Sequence, residues 1–186
     1  MGALTTLTAV KLHLGIATSD TSDDALLAQL INQASADIES RCNRTLTRET
    51  RTAEAYTGDG GKKLYLDLYP VTAVAAVTLD GVAVTDYVLT GKSGALYRED
   101  GWTKDAEIAV TYTGGYQLEA VTGPPAIARD LPFDLEYACI LWVATAYNSR
   151  GSEHLSDESI GPLKSVFWEQ QPAIEAIVVK YRRVPV

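Results

Sequence analysis

The residues of this 186-residue chain that could do chemistry are few and scattered. Gly91-Lys92-Ser93 has the ending of a phosphate-binding loop. That motif needs a glycine five residues earlier, where this chain has Asp86, and a helix after it, whereas strand-forming sequence lies on both sides. A polar hairpin turn is the expected structure there. Asp20-x-Ser22-x-Asp24 has the opening rhythm of a calcium loop, but Ala25 stands at the glycine position and Ile31 at the bidentate glutamate position. Those acids suit the start of a helix instead. His13 and His154 are the only histidines, and neither has a ligand-forming neighbour at metal spacing. No Gly-x-Ser-x-Gly elbow is present, and Cys42 and Cys139 both fall inside apolar helical patterns, where a thiol behaves as a small buried hydrophobe. Buried, reduced cysteines are therefore expected. Asn43-Arg44-Thr45 is a formal glycosylation triplet, but the N-terminus lacks the features of a secretory signal. No catalytic site, no metal site and no cofactor are expected, and the chain reads as a non-enzyme.

What is left is surface. Trp102, Phe167, Trp168, Tyr116 and Tyr181 fall near loops or short terminal elements. Aromatics in such places either dock partners or cover the edges of the core.

The elements that carry these residues follow from periodicity. The clearest runs from Asp23 to Arg44, where Leu27, Ile31, Ala34, Ile38 and Cys42 recur at steps of three and four and form one stripe of a helix. Before it, residues 6 to 14 predict a short helix with Thr6 as N-cap and Gly15 as its stop. From about Leu46 the period changes to two. Strands are expected over Arg51–Tyr56, Lys63–Leu68, Thr72–Leu79, Val82–Val84, Asp86–Thr90, Ala95–Arg98 and Glu107–Thr113, with glycine-rich turns between them facing solvent. Asp80-Gly81 is the strongest hairpin signal, since a type I′ turn needs positive φ at both central residues. Gly123-Pro124-Pro125 is expected to restart helix. Ile127, Leu131, Leu135, Ala138, Trp142 and Ala146 then mark a long, nearly all-apolar helix with a kink or fresh start at Pro132. Gly151 should close it, a charged loop 152–159 should follow, and a short helix from Pro172 to Arg183 should end the chain, with Ile174, Ile177, Val178 and Tyr181 on one face.

The expected fold class is α+β: a helical bundle with a long helix in the N-terminal half, a long central helix and a short C-terminal helix, carrying an inserted antiparallel β-hairpin module. The expected organisation is an N-terminal helical hairpin over 1–45, the β-rich insertion over 46–116, and C-terminal helices with a terminal tail over 117–186. Composition, 46% hydrophobic and 22% charged, is that of an ordinary globular protein. A formal net charge of -8 argues against a protein that grips nucleic acid through its phosphates. No stretch approaches the roughly 20 apolar residues of a membrane helix.

The order of parts carries a resemblance: LTTLTAVKLHLGI, DDALLAQLINQASADIESRCNRTL, LYLDLYPVTAVAAVTLDGV, GALYREDGW, VTYTGGY, PPAIARDL and a C-terminal KYRR. Together they resemble the head-tail connector (adaptor) proteins of long-tailed bacteriophages and prophages. The departure is Pro132, which bears on the continuity of one helix. The resemblance implies a structural virion protein, assembled in the bacterial host cytoplasm and located in the neck. It implies a ring of copies, a dodecamer matched to the portal protein, which extends the DNA channel and presents a docking surface to a stopper or tail-completion protein. Genomic DNA would cross this ring without specific binding, and no membrane is involved. In the same terms Tyr181, Arg182 and Arg183 are candidate partner-binding residues, joined by the loop aromatics Phe167 and Trp168, and the 151–162 loop and the β module are candidates for contacts with neighbouring copies or with the next ring. Two other classes stand beside it: another neck component, such as a stopper or tail-completion protein, and a small hydrolase whose site is assembled only in three dimensions.

Overall fold

The computed structural model describes residues 2–91, 94–119, 128–150 and 172–183. The expectations placed on Lys92-Ser93, on Gly123-Pro124-Pro125 and Ile127, on the 151–162 segment with His154, and on Phe167 and Trp168 lie outside the described residues. The chain divides into two compact units, Met1–Thr45 with Leu118–Val186, and Leu46–Gln117. The class is α+β, with four helices among the described residues and two antiparallel sheets inserted between helices.

In the helical unit α1 spans Leu7–Leu14. Thr6 caps it by accepting the Ala9 N–H at 3.1 Å, and Gly15 ends it in the left-handed conformation at φ 70°. Helix α2 spans Asp24–Cys42, and Leu27, Ile31, Ala34, Ile38 and Cys42 are all buried along one stripe. Asn43, at φ 51°, is its left-handed stop, a position asparagine tolerates better than most residues. Asp23 stands at the N-cap without capping, because its carboxylate receives the Tyr147 hydroxyl instead.

Helix α3, Phe133–Ser149, starts immediately after Pro132, so the proline is a fresh start and residues 128–132 are not helical. Leu135, Ala138, Cys139, Leu141, Val143 and Ala144 bury its inner side. Its outer side is less covered than the sequence implied, for Phe133 is 77% exposed and Tyr137 49%. Helix α4, 172–181, seats Ile174 and Val178 in the same interior. The Ser35 hydroxyl donates to the Ile31 carbonyl at 2.7 Å and accepts the Leu4 N–H at 3.0 Å, so this buried hydroxyl is satisfied.

The β unit holds β1 Glu49–Thr57, β2 Lys63–Tyr65, β3 Val71–Leu79, β4 Val82–Ala83, β5 Tyr87–Thr90, β6 Ala95–Arg98 and β7 Glu107–Gly114. They form a four-stranded sheet in the order β1-β7-β3-β4 and a three-stranded sheet in the order β2-β6-β5. Asp80 and Gly81, at φ 49° and 79°, make the expected two-residue turn between paired Leu79 and Val82. The core is Leu64, Leu66, Leu68, Val71, Val77, Leu96, Trp102, Ile108, Val110 and Tyr112.

Two expectations are corrected here. Strand β2 stops at Tyr65 rather than Leu68: the Leu66 N–H still reaches the Gly94 carbonyl at 3.0 Å, but the amides beyond it are taken elsewhere, Asp67 N–H by the Tyr56 hydroxyl and Leu68 N–H by the Tyr112 hydroxyl, both at 3.1 Å. The turns do not all face solvent. Gly58, Gly94 and Gly101 are buried, and a Cβ on Gly58 would sit 1.9 Å from the Thr103 carbonyl oxygen. Trp102 goes with them. It is 1% exposed and donates its indole N–H to the Leu96 carbonyl at 3.1 Å, so it is a core residue and not a docking one.

Candidate interaction surfaces

The motifs that could have done chemistry resolve into structure. Gly91 follows β5 and Gly94 precedes β6, two paired antiparallel strands, so the lysine-serine stretch joins strand to strand. Asp20 accepts the Ser22 N–H at 3.0 Å in a local turn. Asp24 pairs with the buried Lys11 ammonium, which also donates to the Asp20 carbonyl at 2.6 Å and ties down the α1–α2 connection. His13 lies edge-on to Tyr137 at 6.4 Å. Among the described residues no group of three or more His, Cys, Asp or Glu could hold a metal. Burial pushes the Cys42 thiol up to about 11 and the Cys139 thiol up to about 12, which leaves almost no thiolate at neutral pH. Among the described residues no helix is long and apolar enough to cross a membrane.

Three surfaces remain. The first is the C-terminal helix. Tyr181 donates to Asp134 at 2.6 Å. Arg182 donates to the Arg41 carbonyl at 3.0 Å and to Glu175 at 2.7 Å, and the Arg183 N–H to the Cys42 carbonyl at 2.8 Å. Burial works to raise the Asp134 carboxyl, but Tyr181, the Leu135 amide and Lys180 outweigh it and hold that group below its ordinary value. The candidate residues Tyr181, Arg182 and Arg183 thus come together at one end of the helical unit, where they hold α4 against α2 and α3.

The second is an aromatic patch on α1 and α3. Phe133 and Tyr137 stand one turn apart on α3, His13 lies beside Tyr137, and Leu12, 69% exposed, adjoins His13 on α1. The Arg129 guanidinium stacks on Phe133 at 4.4 Å while pairing with Glu136 at 2.8 Å, so the patch carries no uncompensated charge there. Sequence patterning missed this patch because both aromatics fit the apolar run of α3.

The third is the outer face of the four-stranded sheet. Strand β1 contributes Thr50, Thr52, Ala53 and Ala55; β7 contributes Ala109, Thr111 and Thr113; β3 contributes Ala73, Ala76 and Thr78. The charged residues of β1 are turned to the half-buried side. There Tyr56 and Tyr112 both donate to the same Glu54 oxygen at 2.5 Å, and Arg51 lies 3.8 Å from the other. Burial and the Glu54 carboxylate push both phenols up, Tyr112 to about 12. Tyrosine and glutamate two apart on a strand was the signal for this network.

Among curated proteins no sequence matches. Solved structures share the fold. A chain in the neck of an empty GTA particle computed with C6 symmetry is 21% identical, with 96% of this chain and 89% of that one covered and a TM-score of 0.59. A chain in the virion of a native gene transfer agent particle is 20% identical over 96% and 89%, with a TM-score of 0.56. A chain in the neck of a native GTA particle computed with C12 symmetry is 18% identical over 97% and 89%, with a TM-score of 0.58. At these identities the likeness is one of fold. The head completion protein family model matches residues 3–184, nearly the whole chain. This chain belongs to the head completion protein family and is a structural protein, not an enzyme.

Proposed function

We propose that the chain is a neck component of a phage-like particle, a head-tail connector (adaptor) that forms a ring beneath the portal. The observation that carries this is the pairing of family membership over residues 3–184 with a fold shared, end to end, with neck chains of gene transfer agent particles. Those necks were computed with sixfold and twelvefold symmetry, which supports a ring of six or twelve copies. Closed rings are built from heterologous contacts, one face of a copy meeting a different face of the next. The helical unit favours an adaptor over a stopper or tail-completion protein, which are usually β-dominated. The portal protein would lie on one side of the ring and a stopper or tail-completion protein on the other. An acidic chain, net -8, suits a channel that DNA crosses without being held.

The C-terminal end of the helical unit, with Tyr181, Arg182 and Arg183, is the proposed portal contact. Unchanged portal binding by Arg182→Ala with Arg183→Ala would overturn that placement. Phe167 and Trp168, outside the described residues, remain proposed as partner-binding residues. The whole reading is tested by deleting the gene from a producing strain. DNA-filled heads and free tails that no longer join are expected; complete particles made without this chain would refute it.

A further inference from the structure

We infer that neighbouring copies in the ring meet through the aromatic patch of one copy and the threonine-alanine face of the next, an inference that rests on the neck reading above. The patch and the face are complementary in shape. Phe133, Tyr137 and Leu12 project from helices, while the outer sheet face is built mostly of small side chains, with exposed Glu107 at the start of β7, and offers a flat bed for them.

They are complementary in chemistry too. The face carries hydroxyls, and several of them are bonded within the sheet. Thr50 and Thr113 bond one another at 2.9 Å, Thr111 accepts the Ala53 N–H at 3.0 Å, and Thr72 donates to the Thr113 carbonyl at 3.1 Å. The charges that an exposed antiparallel sheet ordinarily shows to water are turned inward in β1, into the Glu54 network. On the other partner, phenylalanine, tyrosine and arginine are the residue types from which interface anchors are drawn.

The occupant is a second copy because one chain carries both halves, as a head-to-tail ring requires. The size agrees. From strand spacing and rise the face offers about 400 Å², half of the roughly 800 Å² per partner of a stable pair. One such contact does not hold a dimer in dilute solution. It does close a ring whose copies are already gathered on a platform, where each contact forms at high effective concentration.

The test uses two single-cysteine additions in the full chain, Tyr137→Cys and Ala76→Cys, both at exposed positions away from the buried native thiols. Equal amounts are mixed, assembled on the cognate portal and oxidised. Disulfide-linked pairs joining the two variants are expected, at least tenfold above pairs within either variant alone, and a chain carrying both additions should give a ladder of covalent multimers. Phe133→Asp with Tyr137→Asp should lose the rings while keeping the circular dichroism of the parent, since both side chains are exposed. Rings that form normally but link Tyr137→Cys only to itself, or not at all to Ala76→Cys, would overturn the inference and leave the neck reading standing. Failure of the parent chain to form rings on any portal would overturn both.

Discussion

The helical unit and the β unit put their charges in different places. In the helical unit, the buried Lys11 and Glu39 apart, the charged pairs lie nearer the surface and are local or join neighbouring elements: Arg41 to Asp37 within α2 and to Glu175 of α4, and Arg129 to Glu136 of α3. In the β unit Glu54 is drawn to the half-buried side with two phenols, and the outer face of the larger sheet is left mostly with threonine and alanine, with Glu107 at one end. A side chain that water alone had to accommodate needs no such inversion. The difference fits the proposed contact of the sheet face with a neighbouring copy, while the charged pairs of the helical unit also hold its own elements together.

The two interiors also differ in how they are assembled along the chain. The β unit is one contiguous segment, 46–117, whereas the helical unit joins residues 1–45 to residues from 118 onward. If each has its own core, a core mutation should lower the stability of its own unit. Trp102→Ala removes a fully buried ring and its bond to Leu96, and about 3–5 kcal/mol should be lost. Leu135→Ala in α3, equally buried, should cost about 2–5 kcal/mol. Scanning calorimetry reads both. Two transitions, each moved by only one of the variants, would sharpen the contrast, and a single transition moved equally by both would break it.

The polar fastenings should rank next. Tyr112→Phe takes a donor from the Glu54 carboxylate and an acceptor from the Leu68 amide, and about 1.5–3 kcal/mol is expected by chemical denaturation. Tyr181→Phe leaves Asp134 its Lys180 and Leu135 partners, so about 0.5–1.5 kcal/mol is expected. Equal losses at the two sites would erase the distinction between an inward network and an outer clasp.

Alkaline pH separates the units in another way. Cys42 and Cys139 in the helical unit are raised to about 11 and 12 from an ordinary 9.0, while Tyr56 and Tyr112 in the β unit are raised from 10.0. Above the ordinary value the unfolded chain releases a proton that the folded chain keeps. The folded state then binds more protons, and stability falls as pH rises. Urea midpoints should decline from about pH 9 for the helical signal at 222 nm and from about pH 10 for the tyrosine signal. A midpoint flat to pH 11 would contradict the burial of these groups. The smallest effect is expected at Lys62→Ala, which removes the exposed pair with Glu99 and should leave the melting temperature unchanged within error.

Much of this architecture is legible in the sequence, for reasons that are local. The stripe of α2, the Thr6 and Gly15 caps of α1, the Asp80-Gly81 turn and the restart at Pro132 each depend on neighbours a few residues away. Trp102 escaped because its burial depends on a loop folded back under the sheet by Gly58 and Gly101, a long-range fact invisible to periodicity. The Glu54 network escaped likewise, since β1 meets β7 across more than fifty residues. The aromatic patch hid in an apolar run, where only the packing of α1 on α3 decides which ring stays outside. The threonine bonds of the sheet face escaped for the same reason, since they cross between strands distant in the chain.

The most direct measurement is the mass of the purified protein by light scattering, alone and then mixed with the cognate portal, with negative-stain images of whatever is large. Small species alone, and rings of six or twelve copies seated on the portal, are the predicted result. A protein that stays small and leaves the portal bare would contradict a place in the neck.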